Sequence, residues 1–250
     1  MAVSIKSARE IELMREAGKR LAHVHQELEA MIAPGIFTWE IDAKGEKLIR
    51  DCGCIPNFLH YNGYPASICV SVNDEVVHGI PRKDRYLKEG DIVSLDAGLI
   101  YKGYHSDAAR THAVGKVSTE AQKLMDVTKQ SFFEGIKMAK EGQHLHDISR
   151  AIEEYVTPYG NGIVRDLVGH GIGTALHEDP QIPNYAQKRR GVRLQAGMTL
   201  AIEPMINAGT WQVRFLRDGW TVVTKDGSLS AHYENTILVT DGEPEILTLY

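Results

Sequence analysis

The chain has 250 residues, of which 43% are apolar and 24% are charged, with a formal net charge of −5. This is the composition of an ordinary globular protein, and it offers no overall basic field for nucleic acid. The sequence contains no run of eighteen apolar residues and no signal-peptide core, so we expect neither a membrane span nor secretion. Cys52, Cys54 and Cys69 lack zinc-site spacing; they indicate unpaired thiols in a reducing cytoplasm.

The first half of the chain predicts helices followed by strands. Ser7 and Glu10 have the spacing of a helix capping box, and apolar residues then recur every three or four positions up to Pro34. Lys102 and Gly103 are suited to a two-residue hairpin loop. In chain order, the predicted elements are a long helix after Ser7, a short helix over 38–50, a strand at 67–72 and a hairpin over 90–115.

The second half predicts a similar order of elements. Thr119 and Gln122 suggest another capping box, and Pro204 is expected to end a strand because proline lacks a backbone N–H. The predicted elements are a long helix reaching residues 140–142, a short helix over 148–156, a strand at 198–206, a hairpin about 225–228 and a strand at 232–240.

The two halves match when the sequence is compared with itself at an offset of 107 residues. The segment LKEGDIVSLD (87–96) aligns with LQAGMTLAIE (194–203), which places Asp96 on Glu203. The glycines that coincide are Gly35 with Gly142, Gly53 with Gly160, and Gly90 with Gly197. We therefore expect one domain over residues 1–250, built from two similar halves at about 8–117 and 118–250.

Two acidic residues interrupt the predicted hairpin. With Lys102 and Gly103 in the loop, Gly98 lies opposite Asp107. Asp96 shares the face of Gly98 because strand side chains alternate, so Asp96 and Asp107 become diagonal neighbours. Like charges at that separation repel, and a cation between them is the simplest relief.

Three further residues supply matching metal ligands. Glu203 occupies the position equivalent to Asp96, and Glu234 interrupts the apolar run HYENTILV. His170 lies in the glycine-rich segment GHGIG, whose backbone can approach a ligand closely. Four carboxylates and one imidazole suit Mn²⁺, Fe²⁺, Co²⁺ or Zn²⁺, and bridging carboxylates would allow two ions.

Each of these residues also has an ordinary structural interpretation. An acid within a strand often forms an ion pair, and a lone histidine is often part of the core. The alternatives are an Asp107–Arg110 pair, a pair between Glu203 and Arg214 or Arg217, a solvent-facing Glu234 on an edge strand, and a hydrogen-bonded core His170. Residue spacing alone leaves both interpretations open.

Long segments of the chain resemble the type I methionine aminopeptidases in their short bacterial form. The matching segments, within residues 5–248, are YPASICVSVNDEVVHGIP, GDIVSLDAG, GYHSDAAR, GHGIGTALHEDPQIPNY, GMTLAIEPMI and DGWTVVTKDGSLSAHYENTILVT. The resemblance implies an α/β (α+β) pita-bread fold, in which helices cover a curved antiparallel sheet and two halves are pseudo-symmetric. It also implies a hydrolase that removes the initiator methionine from new polypeptides with a small second residue.

The resemblance implies a role for each of the five predicted ligands. Asp96 would bind one divalent ion, His170 and Glu203 would bind the other, and Asp107 and Glu234 would bridge the pair. Glu203 would also act as the general base that takes a proton from the attacking water and passes it to the leaving amine.

Other residues are implied to bind the substrate. His177 would stabilise the oxyanion and His78 would contact the nitrogen of the scissile amide; each would otherwise be a structural histidine. The methionine side chain is expected in a slot of aromatic rings and a soft sulfur. The residues at the matching positions, which would otherwise be ordinary core, are Phe58, Tyr61, Tyr64, Cys69, Leu176 and Trp220.

The resemblance also implies a monovalent cation, Na⁺ or K⁺, at Asn73, Ser230 and the backbone of Glu75. The basic segment KRRGVR at 188–193 suggests a transient contact with ribosomal RNA, and a solvated loop is the alternative interpretation. The expected partners are nascent polypeptide N-termini and no membrane. The expected state is a monomer in the cytoplasm.

Two other functional classes stay open at this point. One is a prolidase or aminopeptidase P, which shares the implied fold and usually carries an additional N-terminal domain. The other is a non-catalytic binding protein on the same fold. Such proteins typically lose metal ligands, whereas all five ligand positions are filled here.

Overall fold

A computed structural model describes residues 3–249 of the chain. Its four α-helices in this range are α1 (Ala8–Glu29), α2 (Thr38–Asp51), α3 (Thr119–Ile136) and α4 (Leu145–Val156). The strands are β1 (Ile55–Pro56), β2 (Ile68–Val72), β3 (Glu75–Val77), β4 (Ile92–Tyr101), β5 (Tyr104–Ala113), β6 (Gly162–Ile163), β7 (Gly169–Gly171), β8 (Glu178–Ile182), β9 (Thr199–Ile202), β10 (Met205–Asn207), β11 (Val213–Phe215), β12 (Val222–Thr224), β13 (Ser230–His232), β14 (Glu234–Leu238) and β15 (Glu245–Ile246). Within residues 3–249, none of the helices has the length and apolar content needed to cross a membrane.

A nine-stranded sheet forms the centre of the fold. Seven strands follow one another in the order β1-β4-β5-β14-β9-β7-β8, while β2 also pairs with β4 and β15 with β14. Two three-stranded sheets, β13-β10-β6 and β11-β12-β3, complete the described strands. Neighbouring strands run antiparallel. The mixed α/β architecture with an antiparallel sheet, predicted from the sequence, is confirmed.

Each pair of helices packs on the part of the sheet that belongs to its own half. Leu21 of α1 shares an apolar cluster with Leu95 of β4, and Phe132 of α3 shares another with Leu200 of β9. Full burial of such a side chain contributes about 1.5–3 kcal/mol. Because strand side chains alternate, Leu95 and Asp96 point to opposite faces of β4. The face away from the helices therefore carries the acidic residues.

The hairpin predicted over 90–115 forms with the predicted register. Tyr101 pairs with Tyr104 across Lys102 and Gly103. The two loop residues have φ values of 49° and 85°, as a two-residue turn that matches the twist of the strands requires. The register of every residue pair in β4 and β5 follows from this turn.

Several predicted helix boundaries are wrong. The N-cap of α3 is Ser118, whose hydroxyl accepts from the amide of Ala121, so the predicted box of Thr119 and Gln122 is not the cap. Helix α3 ends at Ile136 instead of 140–142, because the chain turns tightly there and Lys140 forms a bridge with Thr240. Helix α4 begins three residues before the predicted 148. The helix starts earlier because His144 is its N-cap, and the Asp147 carboxylate accepts a hydrogen bond from the His144 amide.

The predicted hairpin about 225–228 is also wrong. The strands on either side, β12 and β13, lie in different sheets. The Asp226 carboxylate accepts from the amide of Ser228 within the turn and from the amide of Thr210, which lies in a distant segment. The strand predicted at 198–206 is interrupted at Glu203 and Pro204, which gives β9 and β10 and confirms the effect expected of the proline.

Candidate active site

Three of the predicted acidic ligands lie on neighbouring strands of the central sheet. Asp96 is on β4, and Asp107 is on β5 directly opposite Gly98. Glu234 begins β14 and pairs with Ala109 of β5. Because residues 96, 107 and 109 share one face of the hairpin, the three carboxylates project from the same side of the sheet.

Glu203 and His170 reach the same place from the second half. Glu203 directly follows β9, and His170 of β7 pairs with Ala201 of β9. His170 Nε2 lies 3.6 Å from Glu203 Oε1 and 3.9 Å from Asp107 Oδ2. One ligand atom from each of Asp107, His170 and Glu234 lies within 4.8 Å of the others. Side chains at these separations can share an ion.

The sheet holds Asp107 by close contacts. Thr236 Oγ1 accepts from the Asp107 amide at 3.0 Å and donates to its carbonyl at 2.9 Å. A Cβ atom at Gly98 would lie 2.6 Å from Asn57 Nδ2 and 3.1 Å from Asp107 Oδ1. Gly98 therefore keeps space open beside the carboxylate, and this need explains the glycine within the strand.

The ordinary structural interpretations do not describe these acids. Arg110 lies on the opposite face of β5 from Asp107, and its guanidinium donates to the carbonyls of Ala109 and Glu234. Glu234 is on an inner strand and is 2% exposed. Glu203 lies near histidines, whereas Arg214 and Arg217, the partners suggested for it, are exposed.

Burial and crowding raise the pKa values of the acids. Burial raises the pKa of Asp96 to about 7. Burial also raises the pKa of Asp107, Glu203 and Glu234, and the neighbouring carboxylates raise each of them further. Asp96 Oδ1 and Glu234 Oε1 are buried without a hydrogen-bond partner among the described residues. Orphaned oxygens of this kind are costly unless a cation meets them, so the donor set fits divalent metal ions.

Three histidines surround the acids and are held neutral. Burial lowers the pKa of His170 and of His78 to about 4, with His177 adding to each effect, and burial lowers the pKa of His177 itself. The rings of His170 and His177 have centroids 4.3 Å apart. His78 has a φ of 58°, an uncommon backbone conformation of the kind that clusters at functional sites.

A cavity of about 220 Å³ connects the acid cluster to the predicted methionine slot. His78 and His177 line it together with all five predicted ligands. The rings of Tyr64 and Trp220 pack edge to face at 5.2 Å, and Cys69 is a free thiol whose pKa is raised by burial. All six residues predicted for the slot line this cavity: Phe58, Tyr61, Tyr64, Cys69, Leu176 and Trp220. Cys52 and Cys54 are free as well, as predicted.

A larger cavity of about 410 Å³ lies between α1, α3 and β5. Glu29, Asp126 and Lys129 line it, with Arg110 and His112 among the other lining residues. Acidic and basic side chains both line this cavity, so their charges offset one another. The candidate active site is therefore distinguished by its uncompensated acids and apolar slot, not by size.

Sequence reasoning misses two residues of the site. His232 Nε2 lies 3.8 Å from Glu203 Oε2 and 3.9 Å from Glu234 Oε2. Asn62 lines the cavity with a φ of 49°. The one sequence signal for His232 is its place two residues before Glu234, because strand alternation puts both on one face. For Asn62, the Asn-Gly dipeptide at 62–63 signals a turn, and nothing in it indicates a place in the site.

The positions predicted for a monovalent cation are adjacent in space. The Ser230 amide donates to the Asn73 carbonyl at 2.9 Å. The Asn73 side chain donates to Asp91, and the Glu75 carboxylate pairs with Arg85. Backbone carbonyls are therefore the groups available to a cation here.

The basic segment 188–193 is an exposed loop packed against the start of α4. The amides of Leu145 and His146 donate to carbonyls of this loop. Arg190 forms an ion pair with Asp147 at 2.7 Å, whereas Lys188 and Arg189 are exposed.

Fold and site together define a class of protein. The sequence pattern described as metallopeptidase family M24 matches residues 12–241. The chain belongs to metallopeptidase family M24.

Comparison with individual relatives shows which members of the family this chain resembles. A protein named methionine aminopeptidase from Clostridium acetobutylicum is 53% identical over 247 residues, covering 99% of each chain. The crystal structure of a methionine aminopeptidase from Thermotoga maritima superimposes with a TM-score of 0.97 at 46% identity, covering 100% of both chains. An Xaa-Pro dipeptidase from Bacillus anthracis has a TM-score of 0.79 at 26% identity, covering 98% of this chain and 61% of its own. The resemblance to methionine aminopeptidases is thus confirmed.

Proposed function

We propose that this chain is an aminopeptidase that hydrolyses the first peptide bond of a polypeptide and releases its N-terminal methionine. One observation carries the proposal: a single cavity joins an apolar, sulfur-containing slot to a cluster of five potential metal ligands. Membership of family M24 and 53% identity to a protein named methionine aminopeptidase support the same reaction. The proposed substrates are the N-termini of nascent proteins with a small second residue.

Five residues are proposed to hold two divalent ions. Asp96 would bind one ion, His170 and Glu203 would bind the other, and Asp107 and Glu234 would be shared between them. The orphaned oxygens of Asp96 and Glu234 support this assignment. Oxygen and imidazole donors suit Mn²⁺, Fe²⁺, Co²⁺ or Zn²⁺. When bound, such ions supply a Lewis acid and lower the pKa of the attacking water.

Glu203 is the proposed general base. Its carboxylate borders both the cavity and the two histidines nearest to it, His170 at 3.6 Å and His232 at 3.8 Å. As the base, the Glu203 carboxylate would accept a proton from water and keep it until the amine leaves. One residue would thus carry the proton from the nucleophile to the leaving group.

The two cavity histidines are proposed to act on the scissile amide. His177 donates a hydrogen bond to the carbonyl oxygen as negative charge develops on it. His78 packs edge to face against Trp220, with ring centroids 6.4 Å apart, and is proposed to contact the amide nitrogen. Both rings are neutral near pH 7, so each carries one N–H donor.

The slot selects the methionine side chain by shape and polarizability. An unbranched thioether can bend to fill an irregular slot, and sulfur contacts the edges of aromatic rings favourably. The rings of Phe58, Tyr64 and Trp220 provide such edges, and Leu176 closes the apolar wall. β-Branched and charged side chains would fit this cavity less well.

We also propose that the chain is one domain over residues 1–250 and works as a monomer in the cytoplasm. A transient ribosome contact through 188–193 is supported by the exposed Lys188 and Arg189. A Na⁺ or K⁺ ion is proposed at Asn73, Ser230 and the backbone of Glu75, which the contact between the first two supports.

The test uses purified full-length chain supplied with Mn²⁺ or Co²⁺ and three tripeptides. We expect Met-Ala-Ser to be cleaved to methionine and Ala-Ser, while Leu-Ala-Ser and Ala-Pro-Ser are cleaved far more slowly. Preferred cleavage of Ala-Pro-Ser would assign the chain to the Xaa-Pro class instead. If a folded, metal-loaded sample cleaves none of the three, the chain is a binding protein on this fold and our proposal is wrong.

A further inference from the structure

Tyr61 contacts His177 in addition to lining the methionine slot. Tyr61 Oη lies 2.8 Å from His177 Nδ1, and the two ring centroids are 5.5 Å apart. Tyr61 comes from the loop 58–64 of the first half, and His177 directly precedes β8 of the second half. The hydrogen bond therefore joins the two halves within the cavity that both residues line.

The loop that carries Tyr61 is held in a defined shape. His60 and Asn62 on either side have φ values of 67° and 49°. The His60 amide donates to the Tyr64 carbonyl, and the Tyr64 hydroxyl donates to the Gly79 carbonyl, each at 2.9 Å. These bonds position Tyr61 before any substrate arrives.

The segment that carries His177 is held from the opposite side. Lys6 is 8% exposed, and its ammonium pairs at 2.6 Å with Glu178, the residue after His177. Glu178 also accepts from the Ala175 amide at 3.2 Å. Because both partners are anchored, the contact between Tyr61 and His177 is built into the structure and requires little ordering on binding.

The hydrogen bond decides which nitrogen of His177 carries the proton. A neutral imidazole has one N–H and one acceptor nitrogen, and the bond made by one nitrogen sets the state of the other. If the phenol donates to Nδ1, the proton resides on Nε2. The phenol is the better donor of the two groups, because its O–H is more acidic than the N–H of a neutral imidazole. The reverse arrangement would also leave Nε2 unable to donate to a substrate oxygen in the cavity.

We propose that Tyr61 is a positioning residue that holds His177 as the Nε2–H tautomer and so supplies the hydrogen-bond donor for the developing oxyanion. This inference rests on the proposed function. The donor matters most when the carbonyl oxygen becomes charged, so its loss lowers kcat more than it raises KM. Tyr61 then serves both steps: its ring lines the methionine slot, and its hydroxyl positions the histidine that stabilises the oxyanion.

Two measurements on full-length protein test the inference. In Zn²⁺-loaded protein, long-range ¹H–¹⁵N NMR of histidine side chains should show His177 as the Nε2–H tautomer. The Tyr61→Phe variant keeps the ring and removes the hydroxyl, so it should lose this preference. With Mn²⁺ and Met-Ala-Ser, its kcat should fall about tenfold, the effect of a barrier change near 1.4 kcal/mol, with KM changed less than about twofold.

Controls separate this role from general effects. Tyr104→Phe removes a different hydroxyl bond, to Glu10 at 2.9 Å, and should change neither the tautomer nor kcat. Tyr61→Phe added to His177→Ala should cause no further loss. An Nδ1–H tautomer in the unmodified protein, or a Tyr61→Phe variant with unchanged kcat, would overturn the inference. Inactivity of the unmodified protein would instead count against the proposed function, and the tautomer would still be measurable.

Discussion

The two halves of the chain use the same backbone devices at positions 107 residues apart. Gly35 and Gly142 have φ values of 95° and 86°. Their amides donate to the carbonyls of Leu87 and Leu194 at 2.7 and 2.9 Å, and these leucines are also 107 residues apart. Any residue with a side chain would be strained at either position, because both have a positive φ. Matching sequence signals therefore give these two turns the same geometry.

The second helix of each half also begins in the same way. The carboxylate of Glu40 accepts from the Phe37 amide at 2.8 Å, and that of Asp147 accepts from the His144 amide at 3.0 Å. In both helices the acid lies three residues after the N-cap, which satisfies an amide that has no partner within the helix.

The two halves differ in the strands that carry Asp96 and Glu203 into the candidate active site. Strand β4 continues five residues past Asp96, whereas β9 ends one residue before Glu203 because Pro204 cannot continue the ladder. The Glu203 carbonyl accepts instead from Asn184 Nδ2 at 3.0 Å. Asp96 is thus fixed within a strand, while Glu203 lies at a break that lets it face both the cavity and His170. The comparison suggests a symmetric framework with an asymmetric assignment of roles.

The largest expected effect comes from replacing Asp107, whose carboxylate lies beside His170 of the other half. Asp107→Asn removes a carboxylate that we propose bridges the two ions, so metal retention after dialysis should fall by more than about 100-fold and turnover of Met-Ala-Ser should be nearly abolished. Metal content by mass spectrometry and a peptide assay measure both. Asp126→Asn, an exposed aspartate on α3, should leave both intact; full metal retention in Asp107→Asn would contradict the bridging role.

His177→Ala separates metal binding from catalysis. We expect kcat to fall about 10²–10³-fold because the proposed oxyanion donor is lost, with the metal content unchanged. The same two assays apply. If this variant loses its ions, the division of roles between His177 and the five ligands is wrong.

Once the metal is removed, the buried acids of both halves should make the free energy of unfolding depend on pH. A carboxyl whose pKa is raised in the folded state stabilises the protein below its unfolded pKa, and this stability is lost as pH rises through the folded value. Asp96, with a pKa of about 7, and Glu203, whose pKa is also raised, both act this way. In EDTA, Asp96 should therefore lower the free energy of unfolding as the pH rises from about 4 to about 8, and Glu203 should act in the same direction.

Denaturant titrations with and without Mn²⁺ measure this dependence. Asp96→Asn and Glu203→Gln should each flatten it, one from each half, and added Mn²⁺ should offset it in the unmodified protein. A metal-free protein whose stability between about pH 5 and 8 changes no differently from that of Asp96→Asn would show that the acids are not crowded as the structure has them.

The smallest effect tests the framework itself. Gly35→Ala and Gly142→Ala should each lower the free energy of unfolding by about 1 kcal/mol, because alanine is strained at positive φ. The two losses should be similar, since no heavy atom lies closer than 3.5 Å to either added Cβ among the described residues. Gly242→Ala is the control without a positive φ. Clearly unequal losses would show that the two turns resemble each other in sequence but differ in their contribution to stability.

Features that depend on neighbouring residues could be predicted from the sequence. The register of the hairpin followed from Lys102 and Gly103, and the break at Pro204 followed from its missing N–H. The Thr119 cap was wrong by one residue because adjacent Ser118 and Thr119 are both good caps, and local pattern cannot rank them.

Features that depend on distant segments could not be predicted in this way. The turn about 225–228 is shaped by Thr210, and His232 reaches Glu203 after the chain has crossed between sheets. Residue spacing suggested the five metal ligands and left the ion-pair alternatives open; family resemblance indicated their roles. The structure brought the five together and placed Arg110 on the other face.

The sequence by itself determined the faces of the hairpin strands, the turn at Lys102 and Gly103 and the start of α1 after Ser7, because alternation, positive φ and capping act over a few residues. Tertiary structure alone decided that acids of both halves meet around one cavity and that Tyr61 reaches His177. Burial and mutual repulsion arise only when segments far apart in the chain are packed together, and these forces give the site its chemistry.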